Sequence, residues 1–218
     1  DGEAILASAM GLAAEAGAGF LVLHTAAARV GGMDIGFAHP DGLGCLEGAA
    51  MVWNLGADEC AMPDGAFVVY QGHHGDRGAQ RADVILPGGA YPEQPGIFVN
   101  TEGRVQIAAR ASFPPGEARE DWAILRAVSA ELDQTLPFDS LDALRRDLFA
   151  AHPHLGRLDQ IAESAWTPVE TSVAITSDPI MTAAQDHYLA NPMARASEVL
   201  AACARLKAER EKTPLAAE

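Results

Sequence analysis

Four short, uninterrupted apolar runs constrain the fold of this chain more than any other feature of its sequence. A polar or glycine-rich turn follows each run, and the runs are GFLVLH (19–24), AAMVWNL (49–55), AFVVY (66–70) and ADVIL (82–86). A strand of a parallel sheet is buried on both faces and reads as a continuous apolar run, whereas a half-wet antiparallel strand alternates. The pattern therefore predicts an α/β fold with an open, doubly wound and mostly parallel sheet.

A helix and a β-hairpin flank these runs. Apolar residues recur at helical spacing over residues 5–16, which predicts a helix ahead of the sheet. Residues 96–107 predict a hairpin insertion, because NTEG at 100–103 can turn the chain and Gly103 can supply a positive φ. Residues 1–134 are thus interpreted as one α/β domain, and because the sequence starts without Met, an N-terminal portion of this domain is expected upstream.

The remainder, residues 135–218, is predicted to be a helical and irregular C-terminal region. An amphipathic helix over 118–132 leads into it, with an inward face of Trp122, Leu125, Val128 and Leu132. A second helix should begin after Ser140 as N-cap, with Leu141, Leu144 and Leu148 inward. Residues 152–192 are predicted to form turns on the surface. A last helix is predicted over 194–212, with an apolar stripe of Val199, Leu200, Cys203 and Leu206. The tail that follows it, residues 213–218, is expected to be frayed.

Charge and composition exclude several classes of protein. The chain of 218 residues has 30 acidic and 15 basic side chains, and Arg29 is the one Lys or Arg among the first 76 residues. This excess of negative charge would repel the phosphate backbone of a nucleic acid. No apolar run reaches the roughly 20 residues that cross a bilayer. A soluble protein that does not bind nucleic acid is expected, and its start at Asp1 without Met suggests part of a longer polypeptide.

The residues alone indicate no catalytic or metal site. Cys45, Cys60 and Cys203 form no C-x-x-C pair, and His73 and His74 beside Asp76 are better explained as turn residues than as metal ligands, for which adjacent side chains are poorly aimed. The glycines of LPGGA (86–90) could approach a phosphate, but no nucleotide-binding glycine motif or nucleophile elbow is present. The three tryptophans, Trp53, Trp122 and Trp166, are predicted to anchor the core.

Three motif blocks resemble a known family. VVYQGHHGD (68–76), ADVILPG (82–88) and FVNTEGR (98–104) resemble, in order and spacing, the large 75 kDa class iron-sulfur subunit of respiratory complex I, particularly its mitochondrial and α-proteobacterial branch. The resemblance continues through PPGEAREDW (114–122), TLPFD (135–139) and DHYLANPMARAS (186–197). The second and third blocks also resemble the wider molybdopterin oxidoreductase superfamily, which implies that fold.

The resemblance implies a supporting role in a proton-translocating NADH:quinone oxidoreductase. It implies one 2Fe-2S and two 4Fe-4S clusters upstream, none in this segment, because each cluster needs about four Cys or His ligands. It implies partners among the flavin- and cluster-bearing subunits of the peripheral arm, on the cytoplasmic face of a bacterial inner membrane or the matrix side in mitochondria. Asn100, Thr101 and Arg104 would be vestigial pterin-loop residues, with no catalytic, cofactor or metal ligand in the chain.

Two other functions stay open at this point. In a catalytic molybdopterin enzyme such as a formate dehydrogenase, Asn100, Thr101 and Arg104 would contact the pterin. A free-standing interaction module is the other alternative. Among the motif blocks, only QGHHGD (71–76) makes the resemblance specific to the complex I subunit.

Overall fold

A computed structural model describes residues 2–27, 29–161, 166–172, 175–177, 179 and 186–212. Its elements, in chain order, are α1 (Gly2–Glu15), α2 (Arg29–Asp34), a 3-10 turn (Gly42–Leu46), β1 (Met51–Leu55), β2 (Phe67–Gly72), α3 (Arg77–Arg81), β3 (Val84–Pro87), β4 (Gly96–Val99), β5 (Val105–Ala108), α4 (Asp121–Glu131), α5 (Leu141–Ala151), a second 3-10 turn (Pro153–Gly156), α6 (Pro192–Ala196) and α7 (Glu198–Lys212). None of these helices is long and apolar enough to cross a membrane.

Strands β1, β2 and β3 form a parallel sheet in that order, with Trp53, Val69 and Val84 in register. The prediction of mixed α/β structure with parallel strands is therefore confirmed for three of the four apolar runs. The strand predicted at residues 19–24 is wrong. These residues are irregular, pair with no strand among the described residues, and leave Leu23 82% exposed. Apolar composition favours extended backbone, but a strand also needs a hydrogen-bonding neighbour.

One face of the sheet carries the first core cluster. Val52, Ala66 and Val68 are buried there, and Leu46, Ala49, Met62 and Ala82 pack against them. The opposite face is open at the N-terminal ends of the strands, where Met51, Phe67 and Val84 are 53%, 47% and 38% exposed. Within the described residues, the sheet is thus covered on one face at this end.

Strands β4 and β5 form the predicted antiparallel hairpin, and Gly103 in its turn has φ +85°. The second core cluster lies beneath it. Val99 and Val105 are buried against Leu155, with Leu148 and Phe149 of α5 packed around them. The prediction that residues 152–192 run only over the surface is wrong at Leu155, because the second 3-10 turn inserts this side chain under the hairpin. Much of that segment falls outside the described residues.

Serine side chains cap the first turns of two C-terminal helices, α5 and α7. Ser140 Oγ accepts a hydrogen bond from the Ala143 N–H, as expected for the N-cap of α5. The helix predicted over 194–212 is instead two helices, because Ser197 is extended and its Oγ caps the Leu200 N–H. Of the predicted apolar stripe, Val199 and Leu206 are exposed, while Ala204, which is not part of it, is buried. The tail predicted at 213–218 lies outside the described residues.

Candidate functional site

A cleft of about 480 Å³ lies at the C-terminal ends of β1 and β2. Beyond this edge of an open parallel sheet, ligands are usually bound. The start of β4, the N-terminus of α4 and one side of α5 complete the walls, which are mainly apolar. Its lining residues include Leu55, Gln71, His73, Gly89, Gln94, Ile97, Phe98, Asp121, Trp122, Leu141, Leu144, Arg145 and Leu148.

A polar network closes the inner end of the cleft. Gln71 is fully buried, and its Nε2 donates to Asp121 Oδ1 (2.9 Å) and to the Asp121 carbonyl oxygen (3.1 Å). Gln94 Nε2 donates to Asp121 Oδ2 (2.6 Å), and Gln94 Oε1 accepts from the Asp121 N–H (2.9 Å). Trp53 Nε1 donates to Gln71 Oε1 (3.2 Å). Both carboxylate oxygens of Asp121 are therefore satisfied by side chains of the protein itself.

The glycine loop after β3 directs its N–H groups into the protein. The Gly88 N–H donates to the Gly72 carbonyl (2.9 Å), and the Gly89 N–H donates to the Arg119 carbonyl (3.0 Å). The next N–H, of Ala90, donates to Glu93 Oε2 (2.9 Å). A Cβ on Gly88 would stand 2.5 Å from Asp121 Oδ1, so this position has room for glycine alone. These donors bind the segments that surround them.

His73 stands at the mouth of the cleft, with the ring of His74 at 4.8 Å and nearly perpendicular. The two Nδ1 atoms are in hydrogen-bond contact. Burial, together with the charge of His74, lowers the pKa of His73 below its usual value. The contact and the lowered pKa favour a neutral His73, consistent with a turn residue that hydrogen-bonds locally.

A buried carboxylate supports the turn behind the histidines. Asp58 Oδ2 accepts from the Tyr70 hydroxyl (3.1 Å), and Asp58 Oδ1 accepts from the Gly78 N–H (3.1 Å). Burial and the neighbouring Asp58 raise the pKa of Tyr70 far above its usual value, so the hydroxyl keeps its proton. A Cβ on Gly78 would lie 2.6 Å from the Tyr70 ring. This set fixes the course of the chain from β2 into α3.

Arg195 joins the two motif blocks that are farthest apart in the chain. Its Nε donates to Asp76 Oδ2, its second terminal nitrogen to Glu59 Oε1 (2.7 Å), and its first to the Leu189 carbonyl (3.1 Å). Burial raises the pKa of Asp76, but the hydrogen bonds from Arg195 and the Arg77 N–H outweigh this and hold the pKa below its usual value. The segment containing α6 is thereby tied to the N-cap of α3.

The predicted pterin-loop residues lie in the hairpin turn, away from the lining of the cleft. Asn100 Oδ1 accepts from the N–H groups of Glu102 (3.0 Å) and Arg104 (2.9 Å), which shapes the turn. Arg104 donates to the Asp159 carbonyl (2.7 Å), while Thr101 is exposed. The structure gives Asn100 and Arg104 contacts that stabilise the hairpin and its junction with residue 159.

Metal-ligating side chains are dispersed. Over the described ranges, no three His, Cys, Asp or Glu side chains are grouped closely enough to hold a metal ion. The three cysteines are free thiols, with Cys45 exposed and the other two half-buried. Burial, with the nearby Glu59, raises the pKa of Cys60, which disfavours the thiolate that binds metals.

Sequence reasoning missed the residues that organise the cleft. Gln94, Asp121 and Asp58 are each held by partners distant in the chain, and no local pattern signals such contacts. Arg195 and its partner Asp76 both lie inside motif blocks, so the resemblance marks their positions but not the contact between them. Trp53 and Trp122 are half-buried and border the network, but neither belongs to the two core clusters. Trp166 is exposed beside Phe20, so the prediction that it anchors the core is wrong.

The family model for molybdopterin oxidoreductases matches residues 1–131. The chain belongs to the molybdopterin oxidoreductase family. It is 40% identical over 200 residues to the mitochondrial NADH-ubiquinone oxidoreductase 78 kDa subunit of Neurospora crassa, a match that covers 87% of this chain and 27% of that protein. It is 38% identical over 193 residues to a subunit of the NADH-quinone oxidoreductase of Rickettsia bellii, covering 88% of this chain and 28% of the relative. The NADH-ubiquinone oxidoreductase 75 kDa subunit of Reclinomonas americana is 38% identical over 203 residues, a match that covers 86% of this chain and 29% of that protein.

The chain thus spans less than a third of the length of these relatives. The family name implies a pterin cofactor, and a phosphate of such a cofactor would need free N–H donors or cations if it lay at the glycine loop. Here the N–H groups of Gly88, Gly89 and Ala90 are all taken, the last by the carboxylate of Glu93. The carboxylate of Asp121 fills the space beside Gly88. The residues present at this loop of the molybdopterin oxidoreductase fold do not fit a phosphate-bearing pterin.

Proposed function

We propose that this chain is a non-catalytic supporting segment in the peripheral arm of a proton-translocating NADH:quinone oxidoreductase, respiratory complex I. It supports the iron-sulfur chain that carries electrons from NADH to quinone, and it docks against the flavin- and NADH-binding and cluster-bearing subunits. The parent subunit carries one 2Fe-2S and two 4Fe-4S clusters upstream of this segment. The complex stands on the cytoplasmic face of a bacterial inner membrane, or on the matrix side in mitochondria, and this segment binds neither nucleic acid nor the bilayer.

One observation carries this proposal. Relatives that share 38–41% identity over 85–89% of this chain are, by name, subunits of NADH-quinone or NADH-ubiquinone oxidoreductases, from bacteria and mitochondria alike. The alternative of a formate dehydrogenase-type catalytic subunit requires a bound pterin, and the saturated donors of the glycine loop disfavour it. Asn100, Thr101 and Arg104 are therefore proposed to be vestigial, retained for the hairpin turn.

The finer fold is proposed on the same basis. We take the three parallel strands as part of an open, doubly wound sheet with the β4–β5 hairpin inserted after it, in a domain over residues 1–134. The open apolar row of Met51, Phe67 and Val84 supports this, because parallel sheets are normally covered on both faces. We take residues 135–218 as a helical and irregular C-terminal region, which contacts the domain through Leu155 and Arg195.

The test separates support from catalysis. Two variants of the parent subunit are made, one with Arg195→Gln and one with residues 135–218 deleted. For each variant, the amount of assembled complex is measured on native gels, and the rate of NADH:quinone turnover is measured alongside. A supporting role predicts that both changes lower the amount of assembled complex. For Arg195→Gln, it also predicts that each complex that does assemble keeps the unchanged turnover rate. Arg205→Gln, an exposed substitution in α7, serves as the matched control and should leave both quantities unchanged.

Normal assembly with lowered turnover per complex would contradict the proposal. Metal analysis and the fluorescence of released pterin provide a second check. Stoichiometric molybdenum, tungsten or pterin bound to this chain would favour the catalytic alternative instead.

A further inference from the structure

The cleft at the strand ends has the form of a small-molecule site, even though its glycine loop does not fit a pterin phosphate. Its volume of about 480 Å³ lies within the range of 300–1,000 Å³ that is typical of ligand pockets. Leu141, Leu144 and Leu148 of α5 form one wall, and Ile97 and Phe98 of β4 form another. Most of the surface offered to a ligand is therefore apolar.

The polar groups of the cleft divide it into two ends. At the inner end, both carboxylate oxygens of Asp121 are occupied by Gln71 and Gln94. The negative charge of this carboxylate disfavours an anion beside it. An anionic ligand group must therefore sit elsewhere in the cleft.

Arg145 provides that place. It follows Leu144 on α5, lines the cleft and is half-buried, and it makes no hydrogen bond or ion pair with any residue that the structure describes. The guanidinium has five N–H donors in a planar fork that matches a carboxylate. Arg146, the next residue, is exposed and does not line the cleft. One unpaired cation beside an apolar wall favours a ligand with one anionic end and an apolar body.

We propose that this cleft binds a small amphipathic monocarboxylate, with its carboxylate on Arg145 and its apolar body between α5 and β4. The proposal does not depend on which complex the chain belongs to. It concerns a ligand of different chemistry from a pterin, since it needs neither the glycine loop nor a metal. A peptide carboxylate from a partner protein is the competing occupant, and the cleft volume of about 480 Å³ favours the smaller molecule.

The experiment uses decanoate as the probe, below its micelle concentration, in calorimetric titrations of the purified protein. Decanoate should bind at one site per chain, while decyltrimethylammonium, with the same tail and the opposite charge, should bind at least about tenfold more weakly. Arg145→Gln should weaken decanoate binding by about tenfold or more, because a charge-assisted hydrogen bond is lost. Arg145→Lys, which keeps the positive charge but not the planar fork, should bind decanoate more tightly than Arg145→Gln but more weakly than the unsubstituted protein. The matched control Arg146→Gln should stay within about twofold of the unsubstituted protein.

Circular dichroism of each variant checks that the fold is retained. Three outcomes would overturn the proposal: no decanoate binding, equal losses for Arg145→Gln and Arg146→Gln, or equal affinity for the cationic probe. A fourth arm repeats the titration on the assembled complex. Decanoate binding that is lost on assembly would show that a partner covers the cleft, and would likewise refute a small-molecule site.

Discussion

Arg195→Gln should lower the free energy of unfolding by about 2–3 kcal/mol. The side chains of Arg195 and Asp76 are 21% and 20% exposed, so their hydrogen bond is largely shielded and contributes about 1.5–3 kcal/mol, as bonds to charged groups do. The bond to Glu59, which is 59% exposed, adds at most about 1 kcal/mol because solvent screens it. Among the described residues, the carboxylate of Asp76 would keep only the hydrogen bond from the Arg77 N–H.

A double-mutant cycle isolates the contact between the two side chains. Urea unfolding of Arg195→Gln, Asp76→Asn and the double variant should give a coupling energy of about 1.5–3 kcal/mol. Hydrogen exchange of residues 186–196 should rise in the single variants, because the tie to the N-cap of α3 is lost. Arg205→Gln should change stability by less than about 0.5 kcal/mol. A coupling energy under about 0.5 kcal/mol with unchanged exchange would refute this account of how the α6 segment is held.

The lowered pKa of Asp76 gives the same contact a pH dependence. Since the folded pKa lies below the unfolded value of about 3.9, the unfolded chain takes up the proton first as the pH falls. The stabilisation is therefore complete above the unfolded pKa and disappears as the pH falls through the folded pKa. The stability difference between the unsubstituted protein and Asp76→Asn should shrink as urea unfolding is repeated from pH 5 towards pH 3.

Two further predictions concern the turn between β2 and α3. Gly78→Ala should lower the free energy of unfolding in urea by at least about 2 kcal/mol, because the new methyl group would lie 2.6 Å from the Tyr70 ring. Gly75→Ala serves as the control and should be close to neutral, because no atom lies within 4 Å of its new methyl group. Equal losses of stability in the two variants would contradict the packing argument. Burial lowers the pKa of His73, so its contribution to stability is full above about pH 6.5 and falls as the pH drops through the lowered pKa. His73→Asn should flatten the dependence of unfolding free energy on pH between 5 and 7, and an unchanged slope would show that another group titrates.

Local patterns predicted the elements whose cause is local. The apolar runs at β1, β2 and β3, the glycine of the hairpin turn and the cap at Ser140 depend on residues within a few positions of one another. The run at 19–24 has the same composition, yet it forms no strand because pairing depends on a distant neighbour. Likewise Leu155 reads as part of a turn but enters the core, since the hairpin above it leaves an apolar gap.

The organisation of the cleft could not be predicted, because its contacts join distant residues. Gln71 and Asp121 are 50 positions apart, and Arg195 and Asp76 are 119 apart. An amide and a carboxylate at such separation carry no periodicity, and many alternative pairings in the chain would look equally good. The resemblance marked the motif blocks that contain these residues, but not the contacts between them.

The internal pairing at the strand ends explains how a molybdopterin oxidoreductase fold can be stable without a ligand at its glycine loop. A buried amide or N–H that lost its partner would cost about 1–3 kcal/mol, and several such groups lie together at this edge of the sheet. In this chain Gln71, Gln94 and the loop N–H groups bind Asp121, Arg119 and Glu93, and in the described residues no buried side-chain polar atom lacks a partner. The edge of the sheet therefore holds the start of α4 in place, which leaves the outer cleft and Arg145 free for a different ligand.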